Sequence, residues 1–257
     1  MPMTESFKVW FMEWYASIAQ KFYVCFIEDE RWRFLWDGLL VTLEVAFFAV
    51  IIGVVLGFLV AIVRASYDTS DFSGKATGWR RFGRGVFRVV NWFCRLYLTV
   101  IRGTPVVVQL LIIYFVIFAS FDVDKVLAAV IAFGVNSGAY VAEIVRSGIM
   151  SIDKGQMEAG RSLGFNYIQT MWYIIVPQAF KNILPALGNE FIVLLKETSV
   201  SGYIALGDLT KGGDIIRGRT FEALMPLFAV ALIYLAVVMV LSAGVNKLER
   251  RLRSSDH

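Results

Sequence analysis

The chain has 257 residues, 58% of them apolar, with 25 Lys and Arg against 21 Asp and Glu and a formal net charge of +4. A soluble domain carries roughly 45–50% apolar residues, so this composition and a mean hydropathy of +0.65 exclude one and describe an integral membrane protein. The only histidine is His257, Cys25 and Cys94 lack metal or redox spacing, and no Gly-x-x-x-x-Gly-Lys-Ser/Thr loop occurs. A histidine-based metal site, a histidine-dependent catalytic pair and an ATP site on this chain are therefore excluded.

Residues 1–33 mix Trp10, Phe11, Trp14, Tyr15, Phe22 and Tyr23 with Glu13, Lys21 and Glu28-Asp29-Glu30. No basic start leads into an apolar stretch with a small-residue cleavage site, so no cleavable signal peptide is expected. Trp and Tyr favour the headgroup level, and the segment reads as an interfacial amphipathic helix. The first span is expected over Gly38–Val63, with Glu44 in its first third and Gly53 and Gly57 forming a small-xxx-small pair for close helix packing. Glu44 reads either as a functional charge or as a group near the headgroups.

From Arg64 to Arg102 the basic residues Arg64, Lys75, Arg80, Arg81, Arg84, Arg88, Arg95 and Arg102 face only Asp68 and Asp71. By the positive-inside rule this connection is cytoplasmic and the N-terminus lies outside. Asp68–Gly78 reads as a flexible loop, and Arg88, Asn91, Arg95, Thr99 and Arg102 place one polar stripe on a helix at the inner membrane surface. Gly103-Thr104-Pro105 ends that helix and starts another, because Pro105 tolerates the first turn. The second span is expected over Pro105–Ser120, followed by an outer loop at Phe121–Asp124.

The third span is expected from Lys125 to Val145 and carries Asn136 near mid-membrane. An amide without partners is costly there, so a ligand contact and an interhelical hydrogen bond both remain open. Glu143 and Arg146, three apart, can pair on one helical face. The fourth span, Leu184–Leu206, is the most polar, with Glu190, Lys196, Glu197, Thr198 and Ser199. Glu190 and Glu197 share a face, and Thr198 to Gly202 permit local unwinding that would turn Lys196 and the hydroxyls toward the same space. Ligand binding competes here with an internal salt bridge. Residues 207–221 form an outer loop, able to touch an extracytoplasmic partner or simply to be solvated. The fifth span, Glu222–Val245, leads to a basic cytoplasmic tail with Lys247, Arg250, Arg251 and Arg253.

Between the third and fourth spans, about 146–177, stands Glu158-Ala159-Gly160-Arg161-Ser162-Leu163-Gly164-Phe165, continuing to Ile174-Ile175-Val176-Pro177. Gly164 lets two short helices meet at an angle, and Pro177 is expected to end the second. This stretch resembles the EAA signature of ABC-importer transmembrane subunits: Glu-Ala-Ala, three residues, Gly, nine residues, Ile-x-Leu-Pro. Gly160 stands for the third-position Ala and Val176 for Leu. Arg102-Gly103-Thr104-Pro105 with Gln109, and Lys196-Glu197-Thr198-Ser199, are similar to the polar amino-acid branch of that family.

The resemblance implies an all-α type I ABC importer permease with five transmembrane helices, N-terminus outside and C-terminus cytoplasmic. It covers about 34–250, between the N-terminal segment 1–33 and a tail at 251–257. It implies that Glu158, Ala159, Gly160, Arg161, Ser162, Leu163 and Gly164 couple to a separate ATPase. It also implies that Asn136, Glu190, Lys196, Glu197 and Thr198 line a cavity for a polar amino acid. Lys196 and Thr198 would hold an α-carboxylate, and Glu190 or Glu197 an ammonium or a basic side chain. This chain would bind no cofactor; ATP and Mg would belong to the partner ATPase. The other implied partners are a second permease subunit, an extracytoplasmic binding protein and the lipid of a prokaryotic cytoplasmic membrane, with no nucleic acid. A permease for another small solute such as methionine, an ATP-independent carrier and a membrane-embedded enzyme are the competing readings. The last lacks a histidine.

Overall fold

The computed structural model describes residues 3–69 and 79–253. The expected loop at 68–78 lies almost entirely outside the described residues, as do 254–257 of the tail. Ten α-helices are present among the described residues: α1 Met3–Phe22, α2 Trp32–Thr69, α3 Trp79–Gly103, α4 Val106–Ile112, α5 Lys125–Met150, α6 Lys154–Ser162, α7 Tyr167–Thr170, α8 Val176–Glu197, α9 Leu209–Thr220 and α10 Leu224–Arg253.

The centre of the molecule is α5, paired with α2. Its small residues let α2 approach backbone to backbone. A Cβ on Gly57 would come within 2.5 Å of Val141, one on Gly53 within 2.9 Å of Ser137, and one on Gly134 within 2.8 Å of Ile52. The expected close-packing role of Gly53 and Gly57 is borne out. Because 53 meets 137 and 57 meets 141, α2 and α5 run parallel. A parallel pair needs a connection that carries the chain back, and α3 with α4 supplies it. By contrast, α8 runs antiparallel to α5, with Ile183 against Gly148 and Glu190 against Ser137. Finally, α10 lies against α8 where Val245 meets Gly188, and against α9 where Val230 meets Gly213.

Among the described residues, three helices are long and apolar enough to cross a membrane: α2, α5 and α10. A fourth crossing is available if α3 and α4 count as one span broken by a 113° bend. This bend lies where the surface helix was expected to give way to the short second span. The bend falls at Thr104-Pro105, where Pro105 is extended (ψ 137°) and cannot donate to the preceding turn. A correction concerns Pro177, which starts α8 within its first turn and ends nothing. Pro185 lies inside the same helix. Pro at a first turn removes a donor that has no intrahelical partner anyway. Helix α1 exposes Val9, Trp10, Phe11, Met12, Trp14 and Tyr15.

Lys21 in α1 bonds Glu222 at 2.7 Å, and Cys25 and Phe26 are buried with Leu35, Leu209, Ile216 and Val230. This ties the N-terminal segment to α9. The N-cap of α9 is Asp208, 1% exposed, whose Oδ1 accepts from the Lys211 amide at 2.9 Å while Oδ2 has no partner among the described residues. Burial pushes its carboxyl from 3.8 up to about 6. The folded chain therefore holds a proton at pH 5 that the unfolded chain releases. Stability from this group is complete below about pH 4 and is lost as the pH rises through 6, about 3 kcal/mol in all. Thermal unfolding at pH 5 and 7 is expected to show the higher midpoint at pH 5. In Asp208→Asn, which keeps the cap, that difference shrinks, and an unchanged difference would remove Asp208 as its source.

Candidate functional site

Polar side chains meet where α4, α5 and α8 converge. The bend after α3 leaves carbonyls without helical partners, and Gln109 on α4 answers them. Its Nε2 donates to Ile101 O at 2.8 Å, Thr104 O at 3.0 Å and Thr104 Oγ1 at 2.8 Å. That fixes its Oε1 toward α5, where Asn136 Nδ2 donates to it at 2.9 Å. The next residue, Ser137, is turned about 100° around the helix and donates to Glu190 Oε1 on α8 at 2.8 Å. Asn136 and Glu190 are buried, 2% and 9% exposed.

The result is a row of polar groups with surplus acceptors. Asn136 Oδ1 is buried with no partner among the described residues. Among the described residues Glu190 forms no ion pair. An amide oxygen without a partner suits N–H donors, and a carboxylate suits positive charge. Of the two readings left open for Asn136, the interhelical bond is present through its Nδ2.

Helix α8 ends at Glu197 and passes into a 3-10 stretch, Thr198–Ile204, so the expected change of winding is present. Glu197 is close enough to Glu190 and Lys196 to feel both charges. Lys196 is exposed and makes no ion pair with a carboxylate, unlike the internal salt bridge considered from sequence. Thr198 is fully buried and spends its hydroxyl on Leu195 O at 2.8 Å. Gln109 and Ser137 are the members that sequence reasoning left out. Gln109 was visible only as part of the Arg-Gly-Thr-Pro pattern, and Ser137 only as a small neighbour of Asn136.

The loop between α5 and α8 is fully ordered by local bonds. Asp153 caps α6 by accepting from Gly155 N at 2.7 Å. At its other end Gly164, at φ 88°, gives a Schellman close, with Phe165 N to Gly160 O at 3.1 Å and Gly164 N to Arg161 O at 3.0 Å. Asn166 and Gln169 form a reciprocal capping box on α7. Glu158, Ala159, Arg161, Ser162, Leu163 and Gly164 are exposed and Gly160 is buried. A Cβ on Gly160 would lie 2.5 Å from Thr170 Cγ2, which explains why glycine stands where the signature has alanine. Gln178 and Asn182 on α8 donate to Gln156 and to Ser151. The knuckle is thereby tied to the helix that carries Glu190, about 18 Å further along at 1.5 Å per residue. The helix α5 runs on to Met150, so the loop is shorter than 146–177. Near its end, Glu143 pairs with Arg146, as expected, and also with Arg102 at 3.6 Å.

Bent and broken helices around a buried polar row, with an ordered knuckle on the connection, define a membrane transport subunit. The chain belongs to the family of binding-protein-dependent transport system inner membrane components, matched over residues 78–254. It is 38% identical to the arginine transport system permease protein ArtQ of Bacillus subtilis, covering 87% of this chain and 94% of that one. Identity is 35% to the glutamine transport system permease protein GlnP of Escherichia coli, over 86% and 97% of the two chains. It is 33% to the L-cystine transport system permease protein TcyB of Bacillus subtilis, over 88% and 89%. The crystal structure of an amino acid ABC transporter with histidines superposes with a TM-score of 0.75 at 38% identity, covering 88% of this chain and 98% of that one. The MetNI methionine ABC transporter, inward facing, shares the fold with a TM-score of 0.68 at 18% identity, over 85% and 95%.

Proposed function

We propose that this chain is the permease subunit of an ATP-driven importer of polar amino acids in a prokaryotic cytoplasmic membrane, working with a second permease copy or relative. It crosses five times, through α2, the α3–α4 pair, α5, α8 and α10, with the N-terminus outside and the C-terminus in the cytoplasm. The parallel course of α2 and α5 supports this count, because only a crossing between them can return the chain. The basic residues flanking α2, α3 and α10 support the orientation.

The observation that carries the substrate class is the buried row of Gln109, Asn136, Ser137 and Glu190, whose surplus acceptors match an ammonium or a basic side chain. Glu197 lies within reach of that charge, and Lys196 answers an α-carboxylate if the 3-10 stretch turns it inward. Thr198 contributes only after such a rearrangement. The exposed residues Glu158, Ala159, Arg161, Ser162, Leu163 and Gly164 rest on an ATPase subunit, with Gly160 anchoring the knuckle from behind. Closure of two ATPases would push the knuckle, and the Gln156–Gln178 contact passes the displacement to α8 and Glu190. ATP and Mg are held by those partners, and a solute-binding protein delivers the amino acid from outside. This chain itself performs no covalent chemistry.

The test is uptake by proteoliposomes holding the complete complex. Accumulation of a polar amino acid is expected only with ATP inside and the binding protein outside. Uptake driven by a proton or sodium gradient without nucleotide would overturn the importer reading in favour of a carrier. Uptake of methionine in preference to arginine, glutamine and cystine would overturn the substrate class.

A further inference from the structure

Helix α3 has a feature that transport does not account for. Trp79–Gly103 contains six arginines and neither an acidic residue nor a lysine. At 100° per residue, Arg84, Arg88, Arg95 and Arg102 fall within about 40° of arc. The opposite side, about 140° away, presents Val86, Val89, Phe93, Leu96 and Val100, all exposed. A third side packs on the protein, where Asn91 accepts from Arg64 at 3.0 Å and Tyr97 donates to Val135 O at 2.6 Å.

The arginine row is only partly used by the protein. Arg102 pairs with Glu143. Arg88 and Arg95 are exposed, and among the described residues neither has an acidic partner. Two free guanidiniums one helical repeat apart, beside an uncovered apolar face, are a surface with two demands. It needs apolar cover on one side and anionic oxygens on the other. An aqueous protein partner with acidic side chains would satisfy only the second.

We infer that the α3 surface binds the headgroups of anionic phospholipids, with Arg88 and Arg95 holding phosphate oxygens and the Val86–Val100 face lying in the acyl chains. Three things on α3 fit that occupant. Guanidinium binds phosphate through paired N–H donors. Exposed apolar positions are present on α2 as well, among them Leu59 and Ile62. The contact of Asn91 with Arg64 puts this row at the end of α2 that the proposed orientation sets in the cytoplasmic leaflet, where anionic lipids attract basic helices. The depth rests on that orientation; the preference for anionic lipid does not.

The experiment uses the full chain in bilayers containing spin-labelled phosphatidylglycerol or spin-labelled phosphatidylcholine, and electron paramagnetic resonance reads the motionally restricted fraction of each. Phosphatidylglycerol is expected to associate preferentially, and the preference is expected to fall about five-fold for each arginine removed in R88Q and R95Q. R88K with R95K is expected to retain most of it, and high salt is expected to weaken it in the unaltered chain. Equal association of the two lipids, or a preference undiminished in the double glutamine variant, would overturn the inference. A double variant that instead loses its ATPase subunits on purification, with lipid preference intact, would also overturn it and assign the row to a protein contact. Absence of ATP-driven uptake by the unaltered complex, with its phosphatidylglycerol preference present, would count against the transport reading and leave this inference standing.

Discussion

Replacing Gly160 by leucine is expected to abolish transport while leaving the chain in the membrane. A Cβ at this position already meets Thr170 at 2.5 Å and Ile174 at 3.0 Å, so a larger side chain pushes α6 off the segment that leads into α8. Overpacking of this kind costs about 1–3 kcal/mol. At about 1.4 kcal/mol per decade, that is roughly a 5- to 150-fold loss of the seated knuckle. Stimulation of ATP turnover by the loaded binding protein is expected to fall with uptake, because the knuckle no longer bears on α8 through Gln156 and Gln178. Gly164→Val should act more weakly. Nothing lies within 4 Å of its Cβ, and only the left-handed φ of 88° opposes the change, which costs about 1–2 kcal/mol. The order Gly160→Leu worse than Gly164→Val distinguishes packing from backbone strain. Normal uptake and normal ATPase stimulation in Gly160→Leu would end the coupling account.

Glu190→Gln is expected to change what is carried. Glutamine keeps the acceptor for Ser137 Oγ, so the helix contact at 2.8 Å survives and the charge alone is removed. The loss of a hydrogen bond to a charged group amounts to about 1.5–3 kcal/mol, hence roughly 10- to 150-fold in uptake efficiency. If the carboxylate holds the α-ammonium, every amino acid suffers equally. If it holds a basic side chain, arginine and lysine fall while glutamine is spared. Competition uptake with labelled arginine and glutamine separates the two. A profile identical to that of the unaltered chain would take Glu190 out of the cavity. Asn136→Asp is a useful companion, since it adds negative charge at the orphaned Oδ1 while exchanging the Nδ2 donor to Gln109 Oε1 for an oxygen. It should raise affinity for basic amino acids if both acceptors face the same ligand.

The sequence by itself determined the membrane class, the ordered knuckle and the residues that shape it. Apolar runs, caps and breakers act along the chain. Hydropathy over 38 residues of α2 or 30 of α10 needs no partner to be read. Gly164 was legible because a left-handed residue after a helix favours glycine whatever surrounds it. Asn136 and Glu190 could be singled out as expensive in a bilayer, because the cost of an unpaired polar group depends on its depth rather than its neighbours.

Only the tertiary structure decided which of these groups meet. Gln109 becomes a site residue because the 113° elbow frees carbonyls that its amide satisfies, which aims its oxygen at Asn136. Pro177 proved a helix starter, since whether a proline opens or closes a helix depends on where the next turns are packed. Gly160 looked like a mild exchange for alanine until Thr170 was seen against it. In each case the deciding contact joins atoms far apart in the chain or is set by close helix packing. Close approach of this kind depends on the parallel seating of α2 on α5 and the antiparallel seating of α8, which no local propensity encodes.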